Sequence, residues 1–301
     1  AAFFTKQLVW AFYLPIAFYL GWYHRKYLLL FVTTGIGLTV PTYLFLDRFF
    51  QGWLQYFLFT LPAQHRIESE KILGFWTHDI GFFFGGVVLF ALSLWLPSFR
   101  ARVSKESRLF YGMILLGGLA MGWLGRIHSG GYHNVLLPSY LVLALVAGIA
   151  VIYWRRSCNE QRNGVFQVVV PLLLLLQLLW VSYDPRAYVI SAEVHKEQEE
   201  FIAFIQGIPG PVLIVNHGGY EHTSSTRRYA HAMAVLDVMR GSDTVTQDRL
   251  IKEFRTLLQQ QYFSAIILDD MHTWKRGEIE LYYEQTKVFP SQESFEITDV
   301  M

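Results

Sequence analysis

The sequence predicts an α-helical polytopic membrane bundle followed by a small α/β extracytoplasmic domain. Of its 301 residues, 53% are hydrophobic and 16% are charged, whereas about 25% of the residues in an ordinary soluble domain are charged. The apolar residues gather between positions 8 and 182, and most of the carboxylates follow Asp184. We therefore divide the chain into a transmembrane region, residues 1–183, and a soluble domain, residues 184–301.

Apolar runs define the predicted spans. A helix rises 1.5 Å per residue and needs about 20 apolar residues to cross a hydrocarbon core of roughly 30 Å. Six runs approach this length, and almost no ionisable residue lies within them. They are Gln7–Trp22, Leu28–Leu46, Ile80–Leu96, Leu109–Gly125, Val135–Trp154 and Val165–Ser182.

The orientation follows from cations in the short connections, because Lys and Arg concentrate on the cytoplasmic side. Residues 24–26, 100–108 and 155–162 are rich in Lys and Arg, and they fall on one side of the predicted spans. The other connections and the domain after Tyr183 are then extracytoplasmic. Cys158 falls on the reducing side, which suits an unpaired thiol.

Composition argues against several functional classes. The net charge is +1, and no dense basic run with interleaved aromatic residues occurs beyond the membrane flanks, so no nucleic-acid partner is predicted. The single cysteine excludes an internal disulfide and a multi-cysteine metal site. A metal site on His128 and His133 lacks helical His spacing and nearby carboxylates, so no metal ligand is predicted. The chain opens without an initiator Met or a secretory signal, so we expect a fragment.

Residues 48–79 form the predicted outer interfacial segment. They are too polar to span and are rich in aromatic rings, which favour the headgroup level. We expect an amphipathic helix along the membrane surface that breaks at Leu61-Pro62. Such a helix either borders an entrance for a lipid substrate or is a plain interfacial anchor. His65 and Arg66 are either contacts for an anionic headgroup or solvated loop residues.

The turn Arg126–Asn134 is the strongest candidate binding site. It combines five polar side chains with two glycines: Arg126, His128, Tyr132, His133, Asn134, Gly130 and Gly131. Glycines let a backbone approach a ligand, and the next helix start points N–H groups outward, so a phosphate fits there beside Arg126. An ordinary glycine turn with a snorkelling arginine explains the same residues. Lys6 is either a second phosphate contact or another snorkelling cation.

The tail shows the pattern of a small parallel α/β unit. Helices are predicted over 189–206, 229–239 and 247–260, and buried strands over Pro211–Val215 and Phe263–Asp270. Ligands favour the carboxyl ends of such strands, here Asn216–Tyr220 and Asp269–His272. Asp269 and Asp270 are either an acid/base pair or caps of the next segment. His217, His222, His231 and Asp237 show no ligand spacing.

The ordered set of segments resembles bacterial GT-C glycosyltransferases, in particular protein-mannosyltransferase-like members. In the membrane region the resembling segments are Thr5–Gln7, Leu61–His65 and Gly130–Pro138. In the tail they are Pro211–Val215, Tyr229–Ala234, Asp237–Gly241 and Phe263–Asp269. The resemblance covers nearly the whole chain.

This resemblance implies a glycosyltransferase of the bacterial inner membrane, active in the cell envelope. The donor would be a sugar on a polyprenyl phosphate, and the acceptor a glycan, lipid or protein on the extracytoplasmic side. Lys6, His65 and the turn Arg126–Asn134 would neutralise the carrier phosphate. The family's catalytic Asp or Glu lies in its first outer loop, which implies a position upstream of Ala1 and a fragment that is inactive alone. No cofactor follows with certainty, and a divalent metal stays open.

Two other classes of membrane protein are alternatives. A transporter or flippase of lipid-linked sugars would use the same turn without chemistry, but the sequence shows neither related halves nor interrupted helices. A membrane-anchored binding protein would need fewer than six spans.

Overall fold

The structure, a computed structural model, describes residues 2–97, 102–160, 164–182, 184–189, 192–216, 220, 229–268, 275–289 and 295–300. The chain forms two compact units. The helical unit comprises residues 1–62 and 66–183, and the α/β unit comprises residues 63–65 and 184–301.

Long helices make up most of the helical unit. They are α1 (Trp10–Tyr23), α2 (Arg25–Phe49), α3 (Ser69–Ser93), α4 (Lys105–Arg126), α5 (Leu137–Glu160) and α6 (Gly164–Trp180). Short helical segments cover Ala2–Thr5, Gln7–Val9, Trp53–Gln55, Tyr56–Thr60, Leu61–Gln64, His133–Leu136 and Pro185–Tyr188. The short segment Tyr56–Thr60 has π-helical hydrogen bonding, and so does Phe75–Phe82 within α3.

Four helices in the described residues are long and apolar enough to cross a membrane. They are Arg25–Phe49, Ser69–Ser93, Lys105–Arg126 and His133–Arg156. These correspond to the second, third, fourth and fifth predicted spans. The first and sixth predicted runs form α1 and α6, which have 14 and 17 residues. At 1.5 Å per residue they measure about 21 and 26 Å, shorter than a hydrocarbon core of roughly 30 Å.

The third helix corrects the predicted interfacial segment. The helix α3 begins at Ser69, whereas the sequence placed residues 48–79 outside the span and began it at Ile80. The cause is Asp79, whose charge ended the apolar run in the sequence but is paired with Arg126 in the structure. The expected break at Leu61-Pro62 is also wrong, because helical segments continue through Pro62 to residue 64. The preceding π-helical segment ends there, so Pro62 falls where its missing N–H interrupts little.

Small residues bring the central helices together. A Cβ atom on Gly118 or Gly122 of α4 would overlap Val142 or Ser139 of α5. On the same helix, a Cβ atom on Gly117 would lie 3.0 Å from the Cα atom of Phe12 in α1. Close backbone approach of this kind is common between membrane helices. The core around it includes fully buried Leu136, Leu143, Val146 and Ala150.

Contacts at the ends of the helices show which connecting segments lie at the same end of the helical unit. We call one end of the helical unit the Arg126 end; there Leu8 lies beside Gly125. The opposite end is the His24 end, where His24 Nε2 lies 2.8 Å from the Glu106 carboxylate. The loops 24–26 and 102–108, which the sequence placed on one side of the membrane, therefore meet at one end.

The α/β unit holds the only sheet in the described part of the chain. Its strands are β1 (Val212–Ile214), β2 (Ala265–Leu268), β3 (Tyr283–Phe289) and β4 (Phe295–Val300), in the order β1-β2-β4-β3. The parallel pairing of β1 with β2 confirms the predicted strand, helix, strand unit. The antiparallel pair β3 and β4 was not predicted. The helices are α7 (Ala192–Gly207), α8 (Ala232–Arg240), α9 (Thr244–Gln259) and the short segment Arg276–Ile279.

Helices cover both faces of β1 and β2, whose residues are all buried. On one face, Ile214 and Ile267 pack with Phe201 and Ile205 of α7. On the other face, Ile266 packs in a cluster that includes Leu258 of α9. Burial on both faces explains why these two strands read as continuous apolar runs.

Candidate functional site

A buried ion pair lies at the Arg126 end of the helical unit. Asp79 belongs to the π-helical segment Phe75–Phe82, and only 3% of its surface is exposed. Arg126 donates from Nε to Asp79 Oδ2 over 2.7 Å and from Nη1 to the Gly131 carbonyl oxygen over 2.6 Å. Ionisable residues within membrane helices are costly, face partners and mark functional sites, and π-helical insertions occur frequently at such sites.

The backbone geometry of the turn explains why positions 130 and 131 are glycines. Gly130 has a φ of 82°, which favours glycine. A Cβ atom on Gly131 would overlap the Gly125 carbonyl oxygen and lie 2.7 Å from that of Arg126. The close approach places the Gly131 carbonyl oxygen within reach of the Arg126 guanidinium. The glycine pair thus closes the turn onto Arg126.

A short antiparallel contact joins the turn to the residues before α3. Ile67 forms an isolated β-bridge with His128. The Glu68 amide donates to the Ile127 carbonyl oxygen, and the Ser129 amide donates to the Arg66 carbonyl oxygen, each over 2.8 Å. Two connections that are far apart in sequence therefore form one polar surface.

The charges on this surface are largely balanced. Lys71 Nζ lies 2.8 Å from the Glu68 carboxylate, and its hydrogen bond is the main cause that lowers the pKa of Glu68, with Ser129 and Arg126 adding to it. Lys71 is thus paired with Glu68, and Arg126 is paired with Asp79. The sequence had treated the turn as a cationic site. Within the described residues, Arg126 Nη2 has no recorded acceptor, so one edge of the guanidinium remains for a further anion.

The predicted phosphate-binding residues fall into two groups. Lys6 precedes the segment Gln7–Val9, is half-buried, and burial lowers its pKa. Leu8 lies beside Gly125, so Lys6 is at the Arg126 end of α4. The turn supplies the rest: His128 is half-buried, whereas Tyr132, His133 and Asn134 are exposed. His65 instead belongs to the α/β unit, with Nε2 3.2 Å from the Asp237 carbonyl oxygen.

An apolar cavity of about 790 Å³ lies in the same helical unit. Its lining comes mainly from α3 and α6: Phe82, Gly86, Leu89, Phe90, Leu92, Ser93, Leu96, Trp154, Leu173, Leu176, Gln177 and Trp180. From Phe82 to Leu96 the cavity extends roughly 20 Å along the helix direction. At its Arg126 end, the Phe82 and Trp180 rings meet edge to face with centroids 5.9 Å apart, and the His78 ring stacks on Phe82. The first lining residue, Phe82, follows Asp79 by three residues in α3, so this end of the cavity and the ion pair lie on neighbouring turns of one helix.

Gln177 forms hydrogen bonds across a kink in α3, which is one wall of the cavity. Phe84 of α3 has non-helical angles, φ −127° and ψ 17°. Across this kink, Gln177 Nε2 donates to the Phe83 carbonyl oxygen and Gln177 Oε1 accepts from the Gly86 amide over 3.3 Å. The side chain supplies bonds that an unbroken helix would make itself, so the cavity keeps an apolar wall despite the kink.

Sequence reasoning missed both Asp79 and Gln177. Gln177 is the polar residue within the apolar run Leu172–Leu179, and Asp79 directly precedes the apolar run that begins at Ile80. The statement that the spans contain almost no ionisable residue is wrong for α3, since Asp79 is buried within it. A lone carboxylate beside a span was the signal that would have identified the site.

Two of the tail residues that show no ligand spacing, His231 and Asp237, have structural roles. His231 Nδ1 accepts from the Met233 amide at the start of α8, and its Nε2 contacts the Asn216 carbonyl oxygen. Asp237 pairs with Arg240 over 3.1 Å. The remaining strand-end candidates, His217, His222 and 269–272, lie outside the described residues. Within the described ranges, no three His, Cys, Asp or Glu side chains form a group that could hold a metal ion.

Comparisons with protein-family models, with curated proteins and with solved structures found no match to this chain.

Proposed function

We propose that this chain belongs to an integral-membrane glycosyltransferase that takes a sugar from a polyprenyl-phosphate donor. The transmembrane helices lie in a bacterial inner membrane, with the Arg126 end and the α/β unit on the extracytoplasmic side. The observation that carries the proposal is the apolar cavity whose lining begins at Phe82, three residues after Asp79 of the Asp79–Arg126 pair in the same helix. An amphiphile with an anionic head and a long hydrocarbon tail matches that combination.

The polar surface suits the head of such a donor. Arg126 is fixed by Asp79 and by the Gly131 carbonyl oxygen, so its free Nη2 edge is held in one orientation. A carrier phosphate at this edge would gain a charge-assisted hydrogen bond from a donor that needs no further ordering. Lys6 at the same end would add a second positive charge. The carboxylate of Asp79 holds Arg126 in place and is therefore a positioning residue.

The cavity suits the tail. It is open, apolar and roughly 20 Å long, which accommodates several isoprene units. Tail burial supplies binding energy remote from the reacting carbon, and the phosphate contact then acts where charge develops. In the transfer itself, the acceptor oxygen bonds to the anomeric carbon while the bond from that carbon to the phosphate oxygen breaks. The acceptor proton passes to a carboxylate that acts as general base.

A cavity-filling substitution tests the proposal. Leu89 lines the cavity, and Leu89→Trp should raise KM for a long-chain polyprenyl-phosphate sugar about tenfold while sparing a short-chain donor. Leu44→Trp on α2 is the matched control, since Leu44 is exposed and is not part of the cavity lining. Equal kinetics for both variants would overturn the assignment of the cavity to the donor tail.

A flippase for the same lipid is the second candidate. The kink at Phe84 and the π-helical segment around Asp79 favour it, because transporters often carry their site on interrupted helices. The two functions differ in product. Transfer yields sugar covalently bound to an acceptor, whereas a flippase moves the intact lipid-linked sugar across liposomes without releasing free polyprenyl phosphate.

A further inference from the structure

A second cleft lies at the His24 end of the helical unit. Its volume is about 580 Å³, and its lining combines aromatic rings with two cations: Phe18, Trp22, Tyr23, Trp95, Lys105, Arg108 and Leu109. The cleft therefore has an apolar part and a positive part.

All the lining residues come from helix ends. Phe18, Trp22 and Tyr23 form the last turns of α1, and Lys105 and Arg108 lie in the first turn of α4. Trp95 follows α3 closely. Because α4 is a candidate span, its first turn lies where a helix enters the bilayer. Trp, Tyr and basic residues concentrate at that level.

The two cations are available for a ligand. Glu106 lies between them in sequence, but its carboxylate accepts from the Tyr19 hydroxyl over 3.1 Å and lies 2.8 Å from His24 Nε2. No ion pair is recorded for Lys105 or Arg108 over the ranges that the structure describes. The nearest carboxylate in sequence is therefore held by Tyr19 and His24 and is not part of the lining, whose charged side chains are Lys105 and Arg108.

The aromatic part of the cleft is preformed. The Phe18 and Trp22 rings stack with centroids 5.9 Å apart. The Trp95 ring lies over Gly112 of α4, where a Cβ atom would approach it to 3.3 Å. Trp22 itself is 66% exposed, which leaves its face open. These rings and the two cations line the same cleft.

We propose that this cleft binds one anionic glycerophospholipid from the leaflet that faces the His24 end. Arg108 and Lys105 contact the lipid phosphate, and the first carbons of an acyl chain pack against Trp22 and Trp95. The ligand is a phospholipid and not free phosphate, because the charged and apolar parts form one continuous cleft. The site is separate from the proposed contact for the donor phosphate, which lies at the opposite end of the helices, at Arg126.

Native mass spectrometry of the detergent-purified full chain tests this proposal. With added phosphatidylglycerol, the unmodified chain should retain one lipid, and Lys105→Ala with Arg108→Ala should lower that retention at least fivefold. Phosphatidylcholine should be retained weakly and equally by both. Arg155→Ala with Arg156→Ala is the matched control, since it removes two exposed basic side chains near the end of α5 and should leave retention unchanged.

Two further arms keep the outcome decisive. Trp22→Leu preserves both charges and should reduce phosphatidylglycerol retention by removing the apolar contact. Inorganic phosphate at millimolar concentration should not displace the lipid. Equal losses in the two double variants, equal retention of both phospholipids, or displacement by phosphate alone would each overturn the proposal. If the first double variant does not fold, unchanged retention in Trp22→Leu overturns it as well.

Discussion

Ser139 on α5 lies directly against Gly122 on α4. The Ser139 hydroxyl donates to the Gly118 carbonyl oxygen over 2.9 Å, and a Cβ atom on Gly122 would overlap that hydroxyl. The two helices thus meet backbone to backbone, with a buried side chain satisfied by the facing main chain. Such contacts fix how two spans pack.

Gly122→Ala should therefore destabilise the helical unit. The added methyl group must push α4 from α5 or break the Ser139 hydrogen bond, a cost of about 1–3 kcal/mol. Thermal unfolding in detergent should show a lower Tm. Gly148→Ala on α5 is the control, because no atom lies within 4 Å of its Cβ position. A Tm for Gly122→Ala that matches the control would contradict the packing described.

The Asp79–Arg126 pair should show strong energetic coupling. Asp79→Ala leaves a guanidinium that is 16% exposed without its carboxylate, and Arg126→Ala leaves a carboxylate that is 4% exposed. Each single change should cost about 3–5 kcal/mol. The double variant Asp79→Leu with Arg126→Met should recover much of the loss, because no charge remains buried. A double-mutant cycle of Asp79→Ala, Arg126→Ala and the variant that carries both alanines measures the coupling, and additive losses would argue against the pair.

The spans were predictable because helix length and apolar composition are local properties. Four apolar runs became long helices, since each could satisfy its backbone within itself. The ion pair was not predictable in the same way, because Arg126 and Asp79 are 47 residues apart. The hydropathy of a sequence window over α3 includes the unfavourable charge of Asp79 but not its pairing with Arg126. That error moved the predicted start of α3 from Ser69 to Ile80.

The candidate site shows the same limit. Residue types in the turn Arg126–Asn134 indicated a binding site, and Lys6 does lie at its end of α4. Two features depend on folding alone: the β-bridge between Ile67 and His128, and the cavity between α3 and α6. In the α/β unit, the buried strands β1 and β2 were visible as apolar runs. The antiparallel pair was not, because its polar residues, such as Glu284 and Gln285, interrupt the pattern.

Gln177→Leu should loosen the kink at Phe84. The change removes one donor and one acceptor, leaving the Phe83 carbonyl oxygen and Gly86 amide without these partners. The expected loss of stability is about 1–3 kcal/mol. Hydrogen exchange should accelerate at the Gly86 amide more than elsewhere in α3. Thr42→Val is a suitable control, since the Thr42 hydroxyl bonds only within α2. Unchanged exchange at Gly86 would remove the role given to Gln177.

Glu278 should make the stability of the α/β unit depend on pH at the acid end. Hydrogen bonds from Arg255 and Lys275 lower the pKa of Glu278 from 4.5 to about 2. Since the folded pKa is the lower one, the contribution is present above about pH 5 and disappears as the pH falls toward 2. At neutral pH, Glu278→Gln should cost up to about 1 kcal/mol, because the Arg255 side chain is largely solvated. Chemical unfolding monitored by hydrogen exchange in β2 should show the two proteins converging below about pH 3. A constant difference between pH 7 and 3 would contradict this, and Glu253→Gln, from an exposed pair with Arg249, should have little effect at either pH.

Cys158 reports the orientation of the chain across the membrane. It follows Arg155 and Arg156 in α5, and these basic residues predict that this end faces the cytoplasm. A thiol reagent that does not cross membranes should therefore label Cys158 only after the cells are permeabilised. In a Cys158→Ser background, Ser129→Cys places a thiol in the turn at the Arg126 end, and intact cells should be labelled there. Labelling of Cys158 in intact cells would reverse the topology and would place the Asp79–Arg126 pair at the cytoplasmic leaflet.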